Sequence, residues 1–196
     1  LIVPGRGSLT ARYMIVGEAP GETEYEEQTP FVGRAGREQD AYLKRAGLHR
    51  SQFYLTNLVK LYIPGNPDPT PELIAEWGPV LDEEIHVINP RIIVPVGRFA
   101  IRYFLGASAD MDAVHGIPHL VDGRIVIPCY HPAAEFYDDE KRPVISYDYQ
   151  QVARAIANPE RVVVPVDEFP DPSYIDVDWP YDFGQHEERV VGYDTD

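Results

Sequence analysis

Short apolar runs alternate along the chain with stretches in which apolar residues return every third or fourth position, and Gly, Pro and Asp separate the two kinds. The run Tyr13–Val16 in ARYMIVGEAPG predicts a buried strand followed by a tight turn. AGREQDAYLKRAG has helical spacing and predicts a helix ended by Gly47; FYLTNLVKL then predicts a second strand. Thr70 is placed to cap a helix with Pro71 in its first turn, running through ELIAEWGPVLDEEIHVI with a bend at Gly78-Pro79. RIIVPVG predicts a third strand, although Pro95 lacks a ladder donor and counts against a central position. RFAIRYFLG predicts a short helix stopped at Gly106. HLVDGRIVIPCYHP predicts a hairpin turning at Asp122-Gly123 and running to the His131-Pro132 corner, and YDYQQVARAIANP predicts the last helix. Strands alternating with helices and closing on a hairpin imply an α/β fold, a three-layer α/β/α domain with a short, mostly parallel central sheet. Sites in such folds gather beyond the carboxyl ends of the strands, which singles out Gly17–Gly21, Asn57–Lys60 and Tyr130–Ala134.

Composition changes this picture at one end. Of the 32 acidic residues, eleven fall in residues 160–196 against two arginines, so a net charge of −15 leaves only −6 on residues 1–159. We therefore expect a folded domain over 1–159 and an acidic linker or strap, rich in Pro, Asp and Tyr, over 160–196. The net charge argues against nonspecific adhesion to nucleic acid or anionic membrane, while leaving room for a small basic groove. Cys129 is the single cysteine, which excludes an internal disulfide framework and any all-cysteine metal site within one chain. No apolar stretch is long enough to span a bilayer and no signal peptide opens the chain, so a cytoplasmic protein without a membrane partner is expected.

Several residues carry candidate chemistry, each with a plainer explanation beside it. Gly17, Gly21, Gly33 and Gly36 permit close approach of a ligand to the backbone, or simply punctuate turns. They form neither a Walker A loop nor a GxGxxG fingerprint. Asn57 at a strand end can read the edge of a base or satisfy its own turn. Phe31 can stack on an aromatic ligand or anchor the core, and His131 can donate to developing negative charge or tie down a corner. Arg34, Arg37, Lys60 and Arg142 supply enough cations for a few phosphate contacts.

Taken together, GEAPGETE, TPFVGRAG, LTNLVK, RIIVPVGRFA and YHPAA resemble, in order and spacing, the uracil-DNA glycosylase superfamily, most closely its thermophile-type iron–sulphur branch. That family often carries a proline in the third strand. The resemblance covers roughly residues 3–157 and implies DNA N-glycosylase activity on uracil in single-stranded or mispaired DNA. It implies that Gly17, Glu18 and Ala19 form the floor of a uracil pocket, that Phe31 stacks on the base and that Asn57 reads its edge. It further assigns Glu24 to the attacking water, His131 to the uracil O2 as the base leaves, and Ala133 and Ala134 to the DNA backbone. Such a reaction needs a flipped base and no cofactor. The acidic run ETEYEEQT leaves the register of Glu24 open against Glu22, Glu26 and Glu27, and HPAA lacks the serine common after the His-Pro pair. The iron–sulphur branch ligates its cluster through four cysteines, one directly after the TNxVK lysine, where this chain has Leu61. We therefore expect no cluster and no other metal. ERVVGYDTD resembles the opening strand of a 3′–5′ exonuclease domain, with Asp194 and Asp196 as stranded metal ligands, and links the chain to bacteriophage DNA polymerases with a glycosylase-like domain. A second reading is therefore a catalytically silent glycosylase-fold module that recognises DNA or docks within such a polymerase, and a third is a nucleotide hydrolase or transferase. A positive rim around Asn57 and His131 is expected of the first, and a wholly negative rim of a protein-docking module.

Overall fold

The structure, a computed structural model, describes residues 2–162. Most of the acidic stretch, including Asp194 and Asp196, lies outside the described residues. Five strands form one sheet in the order β2-β1-β3-β5-β4. They are β1 (Tyr13–Gly17), β2 (Phe53–Asn57), β3 (Ile92–Pro95), β4 (His119–Val121) and β5 (Arg124–Val126). β1 runs parallel to both β2 and β3, β3 runs parallel to β5, and only the β4–β5 hairpin is antiparallel. The hairpin turns at Asp122 and Gly123, both in the left-handed region, as a two-residue primed turn requires.

Period-two burial splits the core into two layers. Ile15, Phe53, Leu55, Ile92, Val94 and Ile125 face α2 (Arg34–Arg45) and α6 (Lys141–Ala157), packing on Tyr42, Leu43, Ile145, Tyr149 and Val152. Met14, Val16, Tyr54, Ile93 and Val126 face α3 (Pro71–Ile88) and α4 (Arg98–Leu105), packing on Ile74, Leu81, Ile85, Ala100 and Tyr103. With strands apolar on both faces and helices on either side, the expected three-layer α/β architecture is present. Two short α-helices complete the set of α-helices among the described residues: α1 (Glu22–Glu27) and α5 (Met111–Val114).

Where the structure departs from the sequence expectations, the causes are local. β3 lies between β1 and β5 despite Pro95. The proline is the strand's last residue: its carbonyl accepts from the Cys129 N–H at 2.9 Å, and Val96 N–H resumes the ladder to the Val16 carbonyl at 2.8 Å. α3 runs unbroken through Pro79, capped by the Thr70 hydroxyl on the Leu73 N–H. α6 starts six residues ahead of the expected Tyr147, because Pro143 stands near its N-terminus, where no intrahelical donor is lost. The expected strand FYLTNLVKL stops at Asn57, after which Leu58 and Val59 donate to the Gly17 and Glu18 carbonyls at the end of β1 and just beyond it. Antiparallel bridges from Ile2 to Leu61 and from Arg6 to Leu55 cover the outer edge of β2.

Candidate functional site

β1 and β2 end in register, Gly17 opposite Asn57, and three groups crowd the point where they stop. A Cβ on Gly17 would sit 2.4 Å from Asn57 Oδ1 and 2.8 Å from Phe31 Cζ. Only a hydrogen at that position lets the amide and the ring converge over the strand end. Phe31 holds a left-handed backbone (φ 57°), a strained conformation for a bulky residue. Gly36 makes room for it, since a Cβ there would meet the Phe31 carbonyl oxygen at 2.1 Å. Arg50 clamps the same segment: its guanidinium donates to the Pro30 and Phe31 carbonyls, each at 3.2 Å, and pairs with Asp40 at 2.8 Å.

Glu24 lies on α1, over the turns that follow β1. Its Oε1 accepts from the Gly33 N–H at 2.8 Å, and the missing Cβ atoms of Gly21 and Gly33 would lie 2.8 and 2.9 Å from its carboxylate oxygens. The acidic helix therefore lies against the Phe31 loop through this one carboxylate. Glu18 points elsewhere: its Oε1 accepts from the Phe99 N–H at 2.9 Å, near the N-terminus of α4, and burial raises its pKa despite that bond. Its side chain anchors α4, while its carbonyl accepts from Val59 N–H at 2.9 Å. Gly17, Glu18 and Ala19 thus line the strand end through backbone, and Ala19 packs with the α3/α4 core layer.

His131 follows the bridge between Val96 and Cys129 and caps a 3-10 turn, Pro132–Phe136. Its Nδ1 accepts from the Ala133 N–H at 3.2 Å, which leaves Nε2 to carry the proton of the neutral ring. His131 is half-buried as a residue, and burial pushes its pKa down to about 4, only partly offset by the negative charge of Glu24. At neutral pH this histidine is an uncharged N–H donor coupled electrostatically to a carboxylate. Ala133 and Ala134 lie half-buried in the turn. The turn is tied back to α2 by Tyr42, whose hydroxyl donates to the buried Glu135 carboxylate, and by the Arg34 guanidinium 3.8 Å over the Phe136 ring.

The four candidate phosphate-binding cations separate in the structure. Arg34 and Arg37 are exposed, the latter also donating to the Val32 carbonyl at 3.0 Å. Arg142 is exposed but flanked by Glu135 at 3.7 Å and Asp139 at 3.2 Å. Lys60 is not on the rim. Its side chain is 2% exposed, lies 2.7 Å from Glu84 Oε2, and donates to Thr56 Oγ1 at 2.9 Å and to the Asn57 carbonyl. Burial lowers its pKa and Glu84 opposes that shift. The apolar surroundings of β2 and α3 make this ammonium a tie beneath Asn57 instead of a phosphate contact. The rim is mixed, since Asp138, Asp139 and Glu140 are exposed beside the cations.

Four site-supporting residues escaped the sequence reasoning: Arg50, Glu84, Glu135 and Asp148. Asp148 alone left a signal, an acid on the apolar face that Ile145, Tyr149 and Val152 give α6. The residues present do not fit a four-cysteine cluster. Leu61 is half-buried and bridged to Ile2, and the lone thiol of Cys129 is fully buried, donating to the Ile127 carbonyl at 3.6 Å. Among the described residues no group of three or more His, Cys, Asp or Glu is arranged to hold a metal ion, and no helix is long and apolar enough to cross a membrane.

Comparison with known proteins places the chain in a family. The family model of the uracil DNA glycosylase superfamily matches residues 4–153. A type-4 uracil-DNA glycosylase of Sulfurisphaera tokodaii is 36% identical over 171 residues, covering 83% of this chain and 78% of the relative. One from Thermotoga maritima is 40% identical over 134 residues, covering 67% and 70%. A DNA polymerase of Bacillus phage SP01 is 35% identical over 129 residues, which is 65% of this chain and 14% of that polymerase. With its glycine turns, strand-end asparagine and His-Pro turn inside the matched span, the chain belongs to the uracil DNA glycosylase superfamily.

Proposed function

We propose that this chain is a monofunctional DNA N-glycosylase that hydrolyses the bond between uracil and deoxyribose in single-stranded or mispaired DNA, without a metal cluster. The observation that carries this reading is the convergence of Gly17, Phe31 and Asn57 where β1 and β2 end, beside a carboxylate and a neutral histidine. A planar base entering that space stacks on Phe31 while the Asn57 amide pairs with its edge. As the C1′–N1 bond breaks, its electron pair passes to the base; the Nε2–H of His131 donates to the oxygen where that charge gathers. Glu24 commits Oε1 to Gly33, leaving Oε2 to orient a water and receive its proton as the water oxygen bonds to C1′. The same negative charge favours the positive charge developing on the sugar. None of these steps requires an ion.

The proposal includes the division of the chain near residue 159 and its context in a phage replication polymerase, which the resemblance of the SP01 polymerase supports. Its test is alkali-revealed strand nicking of a labelled oligonucleotide carrying one deoxyuridine, single-stranded and opposite guanine, with chelator present. Cleavage that survives chelation and falls by about 10²–10³-fold in His131→Ala, as expected for loss of a donor to developing charge, supports it. Asn57→Ala is expected to lose most of the discrimination between uracil and other bases. Binding of the same DNA without cleavage would replace this reading with a silent recognition or docking module.

A further inference from the structure

One buried titratable group outside the pocket is unused by that mechanism, and it lies directly behind His131. Asp148, on α6, is fully buried among the apolar side chains of the layer between α6 and the sheet. One carboxylate oxygen accepts from the Tyr130 backbone N–H at 2.9 Å, and the other lies 2.7 Å from His115 Nδ1. Gly116 permits this approach, since a Cβ there would stand 2.9 Å from Asp148 Oδ1. Tyr130 is further gripped at its ring: His115 meets it edge-on at 5.1 Å, Lys141 lies 4.4 Å over it and donates to its hydroxyl at 3.1 Å, and that hydroxyl donates to Asp112. Two separate segments, α5 with its C-terminal cap and α6, thus converge on the strand-end residue immediately preceding His131.

We propose that Asp148, with His115, is a positioning residue for the reaction: its carboxylate fixes the Tyr130 amide, and with it the backbone from which His131 presents Nε2 to the leaving base. This rests on the role given to His131 above. An apolar residue would pack the α6 face at lower desolvation cost, so a buried acid there needs a reason, and a charge-assisted bond to one specific amide supplies it. Misplacing a catalytic donor by about 1 Å costs on the order of 10²-fold in rate. Burial also raises the pKa of Asp148 to about 6, opposed by His115. The anchor is therefore at full charge only above that pH. The other titratable groups facing it are Cys129, Tyr147 and Tyr149, with Asp112 and Lys141 acting on it through Tyr130.

The test compares the full chain with Asp148→Asn and His115→Gln by single-turnover cleavage of deoxyuridine oligonucleotide from pH 5 to 8, by affinity for the same oligonucleotide, and by amide and imidazole NMR. The expected result is a rate lowered about 10–100-fold in Asp148→Asn and less in His115→Gln, with affinity changed under about threefold. The limb of the rate profile near pH 6 should vanish in Asp148→Asn, and the Tyr130 amide and His131 ring signals should move. Wild-type rate and profile in folded Asp148→Asn would overturn the proposal. Should that variant fail to fold, His115→Gln decides, and an unaltered rate, profile and His131 signal there would also overturn it. If the parent protein cleaves nothing, the glycosylase reading fails by itself; the anchor is then supported by displaced Tyr130 and His131 signals in the variants and overturned by unmoved ones.

Discussion

At the scale of single residues, two glycines near the pocket should fail in different ways when given a methyl group. In Gly17→Ala the new Cβ meets side-chain atoms, Asn57 Oδ1 at 2.4 Å and Phe31 Cζ at 2.8 Å, which can rotate away only by leaving the space a base would occupy. In Gly36→Ala it meets the backbone of Phe31, with the carbonyl carbon at 2.2 Å, and backbone cannot yield without moving the loop. Gly17→Ala should therefore cut uracil cleavage at least about tenfold while leaving the melting temperature nearly unchanged. Gly36→Ala should lose on the order of 1–3 kcal/mol of stability in chemical denaturation. Equal stability of the two variants would show that the Phe31 loop is looser than its contacts imply. The cations separate in a similar way. Lys60→Met should leave the salt dependence of DNA binding unaltered, because the ammonium faces Glu84 and Thr56. If Arg34 meets phosphate, Arg34→Ala should weaken binding and lower the log–log salt slope by about 1. A lowered slope in Lys60→Met would mean that the side chain swings out to meet DNA.

At the scale of elements, α1 has no buried residue of its own, yet it carries Glu24. Tyr25 on the same helix stacks on Tyr62 with ring centroids 5.0 Å apart and planes 22° apart, while Arg98 pairs with Asp68 at 2.8 Å across the same loop. The segment after Leu61 is thus tied down by a ring stack and an ion pair, and one of its rings props the helix that bears Glu24. Tyr62→Ala should slow cleavage about 3–10-fold by loosening α1, and Tyr62→Phe should restore it, because an aromatic pair contributes about 0.5–1.5 kcal/mol beyond area without needing the hydroxyl. Comparable losses in Ala and Phe, measured under single turnover, would assign the effect to the hydroxyl and not the stack. These elements also show what a sequence exposes and what it hides. The sheet strands were legible because each is a short run rich in apolar residues, most of them ending at Gly, Pro or Asp, and the strand-end positions of Gly17, Asn57 and His131 followed from them, although β2 has no such stop and was read past its end at Asn57. α1 was read as an acidic segment because it lacks an apolar stripe; tertiary contacts at Glu24 and Tyr25 hold it instead. Lys60 was misplaced because a lysine beside a loop looks solvent-facing until Glu84, 24 positions away, is seen to meet it. Asp148 and Arg50 act on backbone amides and carbonyls distant in the chain, contacts that leave no local periodicity.

At the scale of the whole molecule, the two sides of the His131 turn should load stability in opposite directions as pH changes. His131 titrates near 4 in the fold against an ordinary 6.5, so between those values the unfolded chain binds the extra proton and stability from this group rises with pH. Asp148 titrates near 6 against an ordinary 3.8, so across nearly the same window the folded chain holds the extra proton and stability from this group falls as pH rises. Each contribution is on the order of 3 kcal/mol, and in the intact protein they largely cancel. Removing either group uncovers the other. Relative to the parent protein, Asp148→Asn should gain stability as pH is raised from 4 to 6, and His131→Gln should lose it, with both differences levelling off above about pH 6.5. Denaturant unfolding at half-unit pH steps measures this directly, and the difference between each variant and the parent removes the background from the many surface carboxylates. Parallel curves for all three proteins would mean that water reaches both groups freely, and a donor that water reaches freely would be charged or solvated at the moment the leaving base needs it. The opposed slopes therefore test the dryness of the turn as well as the two assigned protonation states.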